Sequence, residues 1–140
     1  QHMAEKVAAR MRQHHYQADH FFIGLKTQQG WLKHKAKTTF VTNDGKDIYQ
    51  LCQQFMDLNW KRQGGWQVQV TALNPLQTIQ TDLFHSLDNS QHRNELNTAM
   101  DDINNRYGEF ALAPARLLDR SSMPNVISPA WKPTGHRKTI

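Results

Sequence analysis

The sequence is poor in the residues that build stapled or metal-bound domains. Its one cysteine, Cys52, can form no internal disulfide and no cysteine-based zinc site. It lies in the pattern Ile48-x-x-Leu51-Cys52-x-x-Phe55-Met56, where the expected role is a small buried hydrophobe, in keeping with a reducing cytoplasm. No run of about 18 apolar residues is present, so no membrane span and no membrane partner is expected. No signal peptide is visible either. The histidines His2, His14, His15, His20, His34, His85, His92 and His136 include no pair at i, i+4 beside a carboxylate, the spacing that zinc helices use. Glycine-rich phosphate loops and nucleophile–base constellations are missing too. No catalytic residue, no metal ligand and no cofactor is therefore expected in this chain. Apolar residues make up 38 % of it, enough for one modest core with polar extensions.

What the chain does have is basic charge, unevenly placed. The formal net charge is +5. Residues 1–66 carry ten Lys/Arg against five Asp/Glu, residues 67–118 carry three against six, and residues 119–140 carry four against one. That asymmetry suggests a polyanionic partner on one side of the molecule. The length fits a single domain, placed at residues 1–118 and followed by a Pro/basic tail at 119–140. The tail holds Pro124, Pro129, Pro133 and Gly135, yet Met123, Val126, Ile127 and Trp131 are too apolar for a purely solvated linker. The opening Gln1-His2-Met3 resembles a cloning remnant, so the natural start is expected upstream.

Periodicity places the elements. Residues 4–15 read as a helix with Val7, Ala8, Met11 and His15 on one face. Two strands follow, joined through Gln28-Gln29-Gly30-Trp31, where Gly30 supplies the turn. Asn43 or Asp44 can N-cap a helix from about Lys46 to Arg62, whose stripe is Ile48, Leu51, Cys52, Phe55, Met56 and Asn59. Lys61 and Arg62 suit its C-terminal dipole, and Gly64-Gly65 ends it. Trp66–Ala72 is a strand with Trp66, Val68, Val70 and Ala72 toward the core. A further helix is expected from about Gln91 to Tyr107, with Leu96, Ala99, Met100, Ile103 and Tyr107 as its apolar face and Gly108 beyond its end. Phe110–Ala113 reads as a final short strand. The result is an α+β arrangement in which the two longer helices cover one face of a four-stranded sheet, after a short N-terminal helix.

The two faces of that sheet differ. Strand side chains alternate with a period of two. Phe21, Ile23 and Leu25 point one way, and Phe22, Gly24 and Lys26 the other. In the second strand Ala36, Thr38 and Phe40 share a face, while Lys33, Lys35, Lys37 and Thr39 share the opposite one. One surface is then apolar and the other cationic, a shape suited to a phosphate backbone. The candidate DNA-binding residues are Lys26, Thr27, Lys33, Lys35, Lys37, Thr38, Thr39, Arg62, Gln67 and Gln69, with Thr71 extending the glutamine stripe. Among the tryptophans, Trp31 in the turn is the best candidate for an exposed base contact.

Several stretches together resemble a known family. They are Val7-Ala8-Ala9-Arg10-Met11-Arg12, Val68-Gln69-Val70-Thr71-Ala72-Leu73, Gln80-Thr81-Asp82-Leu83-Phe84, and the helix end Ile103-Asn104-Asn105-Arg106-Tyr107-Gly108. In this order the chain resembles the little-finger domain of Y-family translesion DNA polymerases of the ImpB/MucB/SamB type. The tail from Met123 to Pro133 is similar to the C-terminal ends of such enzymes. The resemblance implies a β-α-β-β-α-β sheet with two helices on one face that grips primer-template DNA through backbone phosphates. It also implies that the catalytic carboxylates lie in a palm domain outside this chain. The pair Asp101-Asp102 is read as a solvated helix face. Residues 1–118 would thus be a little-finger-like DNA-binding domain in lesion bypass.

Gln80-Thr81-Asp82-Leu83-Phe84 is similar to the motif by which bacterial polymerases dock on the sliding clamp. Leu83 and Phe84 would fill an apolar pocket, with Gln80 and Asp82 setting the register. Thr81 departs from the usual leucine. A different function class also fits these features: a ferredoxin-like protein-interaction module with no DNA role, binding through the 80–84 loop and the tail.

Overall fold

The computed structural model describes residues 1–78 and 88–117, and of residues 88–91 the backbone only. The motif residues Gln80, Asp82, Leu83 and Phe84 and the tail 119–140 lie outside the described residues. The elements in chain order are α1 (His2–Gln13), β1 (Tyr16–Thr27), β2 (Gly30–Thr42), α2 (Gly45–Asn59), β3 (Gly65–Leu73), β4 (Leu76–Gln77) and α3 (Asp88–Tyr107), followed by a 3-10 turn at Ala115–Leu117. This is the expected α+β class with a four-stranded antiparallel sheet. β1 is central: β2 pairs with one of its edges and β3 with the other, and the two-residue β4 pairs with its first residues, Tyr16 and Gln17.

The core forms where two helices meet one side of the sheet. Phe21, Ile23 and Leu25 of β1 are buried there beneath Ala4, Ala8 and Met11 of α1 and Ile48, Leu51 and Phe55 of α2, with Val70 of β3 beside them. Asp44 caps α2 by accepting the Lys46 N–H at 2.8 Å, and the Thr42 hydroxyl donates to Asp47 at 2.7 Å. The Glu5 carboxylate lies against Gly45, the first residue of α2, so a Cβ there would have to displace it.

The covering helices are α1 and α2, where the sequence suggested α2 and α3. α3 instead turns its polar side to the body. Arg12 donates to both carboxylate oxygens of Asp101, at 2.6 and 2.8 Å, and to the Asn43 carbonyl at 2.7 Å. Arg93 forks onto Asp44 at 2.6 and 2.9 Å. Such bidentate pairs fix geometry as well as adding energy. Asp101 is thus no solvated residue, although Asp102 is exposed. Lys6, on α1, is buried and pairs with Glu109 at 3.0 Å. The apolar stripe of α3 faces outward: Leu96, Ala99, Ile103 and Tyr107 are all exposed.

Five further local expectations are corrected. Trp66 and Val68, expected toward the core with Val70, are each 50 % exposed on the outer strand β3. Phe110–Ala113 is no strand. Gly108 and Phe110 have positive φ, and the Asn104 side chain takes both backbone groups of Leu112, accepting its N–H at 2.8 Å and donating to its carbonyl at 2.9 Å. A side chain replaces the sheet partner there. α2 stops at Asn59, so Lys61 and Arg62 lie past the helix they were expected to close. His15 sits in the turn after α1, exposed and at φ 56°, not on its apolar face. Phe40 is 73 % exposed because the β1–β2 register shifts by three residues between Ala18↔Thr42 and His20↔Lys37, bulging Thr38–Val41 out of alternation.

Candidate nucleic-acid interface

The two sides of the β1–β2 hairpin separate as a period of two requires. Residues paired directly across an antiparallel ladder share a face. The pairs Lys26↔Trp31, Gly24↔Lys33, Phe22↔Lys35 and His20↔Lys37 put those eight side-chain positions on the side away from α1 and α2. On the other edge, Lys26↔Gln67, Gly24↔Gln69 and Phe22↔Thr71 continue the same side onto β3. The open face therefore carries Lys33, Lys35 and Lys37 in one row, Lys26 in the next, and Gln67, Gln69 and Thr71 in the third. The lysines of β2 and the β3 residues are exposed.

Lys37 meets Asp19 at 3.4 Å, and His20 Nδ1 lies 2.7 Å from the same carboxylate. The hydrogen bond from His20, with Lys37 adding to it, holds the Asp19 carboxyl below its ordinary value. Lys26, Lys33 and Lys35 pair with no described acid, so three of the four ammonium groups are left to outside anions.

Not every expected residue joins this face. Thr27 is 2 % exposed on the covered side, in line with Leu25, where it braces the hairpin: its hydroxyl donates to the Gly30 carbonyl at 3.0 Å and accepts the Gln29 N–H at 3.2 Å. Gly30, at φ 117°, allows that turn. Thr38 is half-buried in the bulge and donates to the Phe40 carbonyl at 2.6 Å, while Thr39 beside it is exposed. Arg62 is exposed in the loop before β3, at φ 59°.

Two features escaped the sequence. His20 shares the lysine face, which its parity with Phe22 and Gly24 could have revealed. The forks that hold α3 join residues 89 and 49 positions apart, and no local pattern announces them. A groove between α1 and α3 sets Lys6, Arg10 and Arg12 against Asp101, Asp102 and Glu109, so it offers a polyanion no net positive field.

A family model described as the impB/mucB/samB family C-terminal domain matches residues 1–83. The chain belongs to this family. The impB/mucB/samB proteins are Y-family translesion polymerases, and this chain is their C-terminal domain type. The match takes in α1 through β4, and with them the whole lysine face; α3 lies beyond it. No curated protein and no solved structure matches the chain. Among the described residues of this impB/mucB/samB domain no helix is long and apolar enough to cross a membrane.

Proposed function

We propose that the chain is the little finger of an error-prone polymerase, and that its open sheet face grips the template-primer backbone during SOS lesion bypass in the cytoplasm. The observation that carries this reading is the row Lys33, Lys35 and Lys37, with Lys26 beside it, on the side of the sheet away from α1 and α2. Gln67, Gln69 and Thr71 extend the surface with uncharged donors, and Arg62, Thr38 and Thr39 lie at its margins. Phosphate contacts set position without reading sequence, which suits an enzyme that copies arbitrary templates. Nucleotide transfer belongs to a palm outside this chain, so the chain alone binds DNA without extending it.

Fluorescence anisotropy with a labelled primer-template at several salt concentrations tests this. Binding should weaken steeply with salt, and each lysine lost should lower the log–log slope by about one. The double variant Lys35→Glu/Lys37→Glu should abolish most binding. Unchanged affinity in that variant would rule out the sheet face as the contact.

The segment Gln80, Asp82, Leu83 and Phe84 is proposed as a sliding-clamp docking peptide, supported by its likeness to the bacterial motif. Leu83→Ala/Phe84→Ala should lose clamp pull-down while circular dichroism stays unchanged. Loss of fold would assign those side chains to packing instead.

A further inference from the structure

The lysine face is not uniformly polar. At its centre Gly24 has no side chain, and two aromatic rings close over it: a Cβ at Gly24 would lie 3.3 Å from Phe22 Cε1 and 3.3 Å from Trp31 Cζ3. Both rings are half-buried, so each keeps an accessible part on the open side. Their surroundings are cationic. Phe22 stands across from Lys35, Gly24 from Lys33, and Trp31 from Lys26, whose ammonium lies over the indole 5.9 Å from its centroid. Apolar rings set among lysines that meet no described acid are unlike a surface built only for phosphates. Aromatic faces within a cationic surface are how proteins hold unpaired bases, because every base has a π-face and stacking needs no sequence. A duplex hides those faces inside its own stack.

We propose that Trp31, seconded by Phe22, is a stacking platform for an unpaired base of DNA, and that Lys26 and Lys33 hold the phosphates on either side of that nucleotide. The inference rests on the DNA-binding reading and adds a ligand to it: single-stranded DNA next to the duplex. Lys26 couples the two contacts. The cation that would meet the phosphate rests on the indole, so drawing it onto phosphate uncovers the ring for the base.

The test compares two probes with equal phosphate charge, a short oligothymidylate and an abasic oligomer of the same length, bound to the full 140-residue chain. The unaltered protein should bind the thymidylate roughly tenfold more tightly. Trp31→Ala should bring the thymidylate down to the abasic affinity with the salt slope unchanged, since no phosphate contact is lost. Trp31→Phe should keep most of the difference. Equal affinity of the unaltered protein for both probes, with salt dependence intact, overturns the platform and leaves phosphate gripping in place. Absence of salt-dependent binding to either probe and to duplex overturns both. The probe comparison needs no variant, so a folding defect in Trp31→Ala, checked by thermal unfolding, does not blunt it.

Discussion

In α2 the stripe Ile48, Leu51 and Phe55 is pressed against the sheet, while in α3 the corresponding stripe Leu96, Ala99, Ile103 and Tyr107 faces outward and two arginine forks face in. Both helices show the i, i+3, i+4 spacing. The spacing says that a helix forms and which side is apolar, but not which side the body takes. For α2 the sheet's apolar face lies within reach and decides the matter. For α3 that face is already filled by α1, and the partners left are Arg12 and Asp44, which are charged.

The contrast can be broken or sharpened by substitution. The largest effect belongs to α2: Phe55→Ala should lower global stability by about 3–5 kcal/mol, read as a shift in the denaturant midpoint. Next comes Arg12→Ala, which strips Asp101 and the Asn43 carbonyl of their partner. A penalty of about 2–3 kcal/mol is expected, appearing as lost hydrogen-exchange protection along α3 while β1 stays protected. Equal loss in β1 would mean that α3 and the core unfold as one unit. Acid should act on the same attachment. Burial pushes the Asp44 carboxyl up, but the Arg93 fork and the Lys46 N–H outweigh it and hold the carboxyl below its ordinary 3.8. A carboxyl lower in the folded than in the unfolded state gives stability that is complete above the unfolded value and is lost as pH falls through the folded one. Protection of α3 should therefore decline below about pH 4, and Asp44→Asn should flatten that limb. The smallest effect belongs to the outward stripe: Ile103→Ala should change stability by less than about 0.5 kcal/mol. A cost near that of Phe55→Ala would show that the stripe is covered after all.

How much of this was legible depends on the range of the causes. The alternation of Phe21–Lys26 and Lys33–Lys37 is local, so the lysine row and the core face could both be read residue by residue. The same rule puts Thr27 with Leu25, and its burial follows. From Thr38 onward the rule fails, because the register shift depends on how β1 and β2 pair and not on either strand alone. The outward turn of α3 depends on Asp101 and Arg93 finding partners in distant segments, and the loss of the Phe110–Ala113 strand on the side chain of Asn104. β4, at two residues, is too short to leave a periodic trace.

The sheet's two outer strands have a consequence for crowding. β2 bears Lys33, Lys35 and Lys37, whose mutual repulsion discourages a neighbour from adding to that margin; β3, from Gly65 to Leu73, has neither charge nor proline, and among the described residues its far side is unpaired. One margin is guarded and one is bare. Among the described residues, a strand arriving from outside is therefore opposed along β2 and unopposed along β3.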